Sequence, residues 1–298
     1  MSRVVGIDLR EQQVRAVLLR TSYKKLELEM FSEEAVGDHA SPADAMRACV
    51  ERLGGLEGHR IDSLVTVLDG SRTFVHHIQL PSSAEKRLEE LLPFELEAQL
   101  PVEIDEVVYG YETLPRRRGS SDPLLVLTVS ARQAQVQSHI DEMRNVFSRE
   151  PERVGASAIE LGQLTQISAA LRSDEPVVVV DIGHKSTDLC LLEKGVIRSA
   201  RSLSSGLGAF PNKADQFVAQ LRQTLSSFST LVGRPVSRLV LAGDAIALPG
   251  IEQFLHGRLS VEVSFLSAEA LEGGSAGDRN RIPEFGRALA SALHGAKG

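Results

Sequence analysis

Two stretches of this chain carry the same pattern, and a chain built on such a repeat has few ways to fold. Residues 4–19 read VVGIDLREQQVRAVLL, and residues 177–192 read VVVVDIGHKSTDLCLL. Laid over one another without gaps, Asp8 falls on Asp181, Val14 on Thr187, Arg15 on Asp188 and Leu18-Leu19 on Leu191-Leu192. In the second copy four consecutive valines, Val177 to Val180, predict a strand buried on both faces. A turn at Asp181-Ile182-Gly183 follows, then a second apolar strand over Thr187–Leu192. A strand–turn–strand unit that opens each half of the chain predicts two α/β lobes facing one another. The Asp-x-Gly turn can also serve chemistry. Glycine lets backbone N–H groups approach an anion, and the carboxylate can hold Mg²⁺ through water. Alone, the same hairpin reads more simply as an ordinary tight turn.

A third element joins the two. Residues 239–250, LVLAGDAIALPG, run an apolar strand into a glycine turn and then Pro-Gly. With these three elements in this order and spacing, the chain resembles the actin-like ATPase superfamily. The resemblance implies a two-lobed actin-like fold of duplicated RNase H-like lobes, with the first two turns clasping nucleotide phosphates and the third meeting adenosine. Carried over by position, Asp8 and Asp181 would hold Mg²⁺ through water. Gly183 and Thr187 would hold phosphate, Gly243 would approach adenosine, and Arg15 falls where the first motif carries Lys or Arg. Two positions depart from that pattern. Arg10 stands where the first turn has glycine, and Asp244 where the third has its second glycine. A side chain at Arg10 occupies space the phosphates would use and resists the turn's backbone angles. Asp244 sets a negative charge beside the expected adenosine. The expectation is therefore a degenerate nucleotide cleft, with ATP and Mg²⁺ as the cofactors an intact one would take.

Composition narrows the function classes. The 298 residues are 42% apolar, enough for two lobes with cores of their own. A net charge of −7 gives no electrostatic footprint for nucleic acid. Cys49 and Cys190 are far apart and form no CxxC, which predicts reduced thiols, with Cys190 a small core residue on its strand. His76-His77 lie on a predicted strand, where neighbouring side chains point to opposite faces and cannot share a metal. The chain starts MSRVVGID and enters a strand directly, so no signal peptide is expected, and no apolar run approaches the roughly 20 residues a membrane span needs.

Along the chain, residues 3–9, 13–20 and 25–31 predict a meander, and Ser41-Pro42 opens a helix to about Leu53. Strands follow at Ser63–Asp69 and Arg72–Leu80. Residues 81–101, PSSAEKRLEELLPFELEAQLP, space leucines for an acidic amphipathic helix that Pro93 would kink or interrupt. With the following IDEVVYGYETL, this stretch resembles the type IV pilus protein PilM and the cytoplasmic domain of the type II secretion protein L family, GspL. In those families it forms a small inserted subdomain, here with strands near Asp105–Leu114 and Pro123–Ser130 and a helix at Ala131–Phe147. The basic turn Arg116-Arg117-Arg118 reads as a solvated loop. A helix is expected over Ala158–Arg172, helices at Ala214–Leu231 and Gly250–Leu259, a last strand at Val261–Leu266, a flexible loop over 272–281 and a Pro-led closing helix, EFGRALASALHGA. The domain expectation is a first lobe at 1–81, an inserted α/β subdomain at 82–150, a return to the first lobe at 151–175 and a second lobe at 176–298.

The leading functional expectation is a non-enzymatic scaffold: the cytoplasmic actin-like domain of a type II secretion inner-membrane platform. It would link the hexameric secretion ATPase to membrane subunits, with a homodimer as a further candidate and a transmembrane helix expected beyond Gly298. The alternative is a PilM-type ATP-binding protein of type IV pilus assembly. A sugar kinase is set aside, because no aspartate stands in a recognisable catalytic context.

Overall fold

The computed structural model describes residues 1–23, 25–58, 60–115 and 123–296. The strands, in chain order, are β1 (Ser2–Leu9), β2 (Gln13–Ser22), β3 (Lys25–Ala35), β4 (Ser63–Leu68), β5 (Thr73–Leu80), β6 (Val107–Thr113), β7 (Leu124–Arg132), β8 (Arg153–Ala156), β9 (Val177–Ile182), β10 (Thr187–Glu193), β11 (Val196–Leu203), β12 (Arg238–Gly243), β13 (Glu262–Phe265) and β14 (Leu271–Gly273). The longer helices are α1 (Pro42–Arg52), α2 (Leu88–Glu97), α3 (Gln133–Phe147), α4 (Ala214–Val232), α5 (Ile251–Leu259) and α6 (Gly286–Gly295). Among the described residues no helix is long and apolar enough to cross a membrane.

The strands form three sheets, ordered β14-β3-β2-β1-β4-β8, β11-β10-β9-β12-β13 and β5-β7-β6. The two large ones are the duplicated lobes. In each, the hairpin read from sequence pairs antiparallel, β1 with β2 and β9 with β10, and the next strand pairs parallel with the first. The two-residue period of a strand sets each core. Val5 and Ile7 point outward from the first sheet onto Met46, Cys49 and Val50 of α1 and Met143 of α3. Val178 and Val180 point from the second sheet onto Phe217, Leu221 and Leu225 of α4 and Leu255 of α5. The alternate residues, Val4 and Val65 of one sheet and Val177 and Val179 of the other, face a shared middle layer. That layer is α6 together with the turns at Leu161–Gln166 and Ala169–Arg172. Between two apolar faces, α6 is buried all round, from Gly286 to Leu293. It approaches β1 at Gly6, where an added Cβ would stand 2.3 Å from the Ala288 carbonyl oxygen.

The structure moves several boundaries. β5, expected in the first lobe, pairs along its full length with β7, from Thr73↔Ala131 to Leu80↔Leu124, while β8 takes the place beside β4. The inserted sheet thus starts at residue 73 rather than 82. It ends near 132, because α3 packs with α1 on the first sheet. The closing residues, assigned wholly to the second lobe, return to the first: β14 pairs parallel with β3, and α6 packs on β1 and β4. Ala158–Arg172 is a broken series of short turns rather than one helix, and Gly162 lies so close to Ile197 that a Cβ would meet it at 2.4 Å. Residues 272–281, rather than the expected loop, hold the end of β14 and a helical turn opened by a Ser275/Asp278 capping box. Pro93 stands inside α2 without ending it. The basic turn at 116–118 lies outside the described residues.

Candidate functional site

Of the expected site residues, Asp8, Asp181, Gly183 and Gly243 lie at the ends of β1, β9 and β12, with Arg15 and Thr187 on the paired strands β2 and β10. Parallel pairing of β9 with β12 sets Asp181 beside Ala242 and Ile182 beside Gly243. Gly243 adopts φ +75°, and an added Cβ would lie 2.7 Å from Asp181 Oδ1, so both backbone angle and space call for glycine. The Gly183 turn closes through its N–H donating to the Ser186 carbonyl at 2.9 Å. Thr187 Oγ1 donates to the Ser205 carbonyl at 2.8 Å, so that hydroxyl braces the next loop. Between the lobes lies a cavity of about 940 Å³, lined among others by Arg10, Asp69, Gly183, Lys185 and Asp244.

Arg10 decides the character of this cleft. The β1–β2 turn closes with the Arg10 N–H donating to the Gln13 carbonyl at 2.9 Å, and the side chain folds back over the strand ends. Its Nε donates to Asp8 Oδ2 at 2.7 Å, and its Nη2 lies 2.7 Å from Asp181 Oδ1. The second contact is a close charge pair without hydrogen-bonding angles. A Cβ on Gly183 would stand 2.9 Å from Arg10 Nη1, so the guanidinium rests against the turn expected to hold phosphate.

A second buried arginine was missed in sequence. Arg287 of α6, 2% exposed, sets Nη2 3.2 Å from Asp8 Oδ1, and its Nη1 lies 3.3 Å from Asp69 Oδ2 and 3.5 Å from Asp188 Oδ2. The hydroxyls of Ser157 and Ser202 also donate to Asp188. The available signal was a lone arginine in an otherwise apolar helix, GRALASAL. Arg15 stands opposite Asp8 on β2. Its Nη1 donates to the Glu284 carbonyl at 2.8 Å and sits 2.8 Å from Asp244 Oδ1. Its Nε and Nη2 reach Glu33 Oε1 and Gln13 Oε1.

Four aspartates, Asp8, Asp69, Asp181 and Asp188, therefore surround two guanidiniums. That acid surplus in a buried place divides their protonation. Burial pushes the Asp8 carboxyl up, but Arg10 and Arg287 outweigh it and hold it below the usual range. For Asp181 burial prevails over Arg10 and Arg287, and the carboxyl is lifted to about 6. Burial likewise raises Asp188. Asp69, facing Arg287 and bonded by Ser71, is drawn down to about 2 against its burial.

The two carboxylates expected to carry Mg²⁺ share the Arg10 guanidinium. Among the described residues no cluster of His, Cys, Asp and Glu is arranged to hold a metal ion.

In structure the chain is similar to the PilM–PilN type IV pilus biogenesis complex, at 22% identity over 99% of each chain with a TM-score of 0.81. It is similar to the cytoplasmic domain of EpsL, an inner membrane component of the type II secretion system of Vibrio cholerae, at 14% identity over 99% of this chain and 94% of that one, TM-score 0.56. A Bacteroides thetaiotaomicron protein with actin-like ATPase fold matches at 12% identity over 97% and 95%, TM-score 0.52. No curated protein matches by sequence. These likenesses establish the actin-like fold, and the family model for type IV pilus assembly protein PilM matches residues 6–208. The chain belongs to the PilM family of type IV pilus assembly proteins.

Proposed function

We propose that this chain is a cytoplasmic adaptor of an inner-membrane assembly platform, acting by binding partners and not by turning over nucleotide. The observation that carries the reading is Arg10, whose guanidinium stands between Asp8 and Asp181 where a metal-bound phosphate would otherwise be. The partners are a PilN-like membrane subunit and the cytoplasmic ATPase that drives the platform. The family match favours a pilus system over type II secretion, which remains the reading supported by likeness to the EpsL domain. Two lobes joined through one middle layer offer a single body that can carry force from one partner to another.

The nucleotide-binding alternative has one observation in its favour. The interlobe cavity of about 940 Å³ falls within the size range of small-molecule sites, and Gly183 and Lys185 line it. Calorimetric titration with Mg-ATP separates the two. The adaptor reading expects no heat and no thermal stabilisation at millimolar ATP, together with retention of a PilN-like cytoplasmic segment in a pull-down without nucleotide. Micromolar ATP binding, or partner binding only with ATP, refutes it.

A further inference from the structure

Each departure from the nucleotide pattern meets an opposite charge on the other lobe. Arg10, on the β1–β2 turn, reaches Asp181 of β9, with Arg10 Nη2 2.7 Å from Asp181 Oδ1. Asp244, just beyond β12, reaches Arg15 of β2, with its Oδ1 2.8 Å from Arg15 Nη1. Both cations come from the first lobe and both carboxylates from the second. Each bridge pairs one departing residue with one that keeps the pattern, so the two changes are complementary in sign. Both bridges are largely screened from solvent: side-chain exposure is 10% for Arg10, 4% for Arg15, 1% for Asp181 and 19% for Asp244. Charges so placed attract across the cleft with little damping by water or salt. Next to them the lobes touch tightly, since a Cβ on Gly70 would fall 1.8 Å from Ser202 Oγ.

We propose that Arg10 and Asp244 form, with Asp181 and Arg15, an interlobe clamp that holds the cleft closed without ligand, in the place where a metal-bound nucleotide would otherwise join the lobes. The clamp rests on the adaptor reading and explains how a two-lobed body stays rigid with no nucleotide to bind. Loss of the glycines is then a replacement of the ligand by the chain's own charges, and reversing it restores an openable cleft.

The test is a distance measurement on the full chain. Spin labels are attached at Glu51→Cys on α1 and Ser226→Cys on α4, both exposed, while the native Cys49 and Cys190 are fully buried and stay unlabelled. With the clamp intact, a single narrow interlobe distance is expected. In Arg10→Gly/Asp244→Gly the distribution broadens toward longer distances, and millimolar Mg-ATP narrows it again because both turns regain glycine. A folded double variant with an unchanged distribution overturns the clamp. If that variant does not fold, Asp244→Asn alone must broaden the distribution, and no change there overturns the clamp as well. Mg-ATP binding to the chain with its native Arg10 and Asp244 would instead defeat the adaptor reading, while the ATP-free comparison still judges the clamp.

Discussion

Replacing Arg287 by methionine keeps an apolar stem of similar length and removes one charge from the middle of the molecule. The side chain is 2% exposed and faces Asp8, Asp69 and Asp188 from 3.2 to 3.5 Å. Removing one partner of a buried ion pair costs about 3–5 kcal/mol, because the remaining charges stay out of water uncompensated. Asp69 supplies part of this. Its carboxyl is held at about 2 against an ordinary 3.8, a difference worth about 2 kcal/mol. A depressed carboxylate stabilises the native state above its unfolded pKa and loses that contribution as pH falls toward its folded value. The cost of Arg287→Met is therefore full at pH 7 and smaller near pH 4, where the freed carboxyls take up protons. Guanidinium denaturation at the two pH values measures it. Arg281→Met provides the contrast: that guanidinium is 45% exposed and pairs with Glu33 and Glu284, so its loss should cost under about 1 kcal/mol. A cost for Arg287→Met below about 1 kcal/mol, or one equal at both pH values, refutes the view that this arginine neutralises the buried aspartates.

Three further outcomes are expected. Burial raises Asp181 from 3.8 to about 6, so the native state is favoured at low pH and loses that advantage as pH rises through 6. Burial lowers His139 from 6.5 to about 4, so stability is present above 6.5 and lost as pH falls through 4. Each shift is worth about 3 kcal/mol, and the slopes oppose one another. The Asp181→Asn variant should therefore have a thermal midpoint that falls from pH 6.5 to pH 4 more steeply than that of the unaltered chain, and parallel profiles would disprove the assignment. Gly243→Ala forces a Cβ to 2.7 Å from Asp181 Oδ1 at φ +75° and should cost about 2 kcal/mol in denaturant unfolding; a neutral result would place the turn elsewhere. Leu92→Ala empties a fully buried site between α2 and the small sheet and should cost about 3 kcal/mol by calorimetry, whereas a loss under about 1 kcal/mol would mean that α2 is not seated on that sheet.

The two hairpins and their duplication were legible in the sequence, since apolar runs such as Val177–Val180 and the turns that follow them are local properties. The helices α1 and α4 followed from a cap and from periodicity for the same reason. The partition into lobes was less legible. β5 carries an ordinary strand pattern, and nothing within its eight residues says whether it pairs with β4 or with β7 some fifty residues later. The return of β14 and α6 to the first lobe is likewise a matter of long-range partners.

The site divides in the same way. Asp8, Asp181, Gly183, Thr187 and Gly243 could be set together from sequence only because the resemblance to the actin-like ATPases carries their places with it. Arg10 and Asp244 could be marked there only as departures from it. That Arg10 turns back onto Asp8 and Asp181, that Asp244 meets Arg15, and that Arg287 enters from the far end of the chain was decided by tertiary structure alone. A charge acts on whatever lies within a few ångströms in space, and in this protein those neighbours are up to 279 positions away in sequence, as Arg287 is from Asp8.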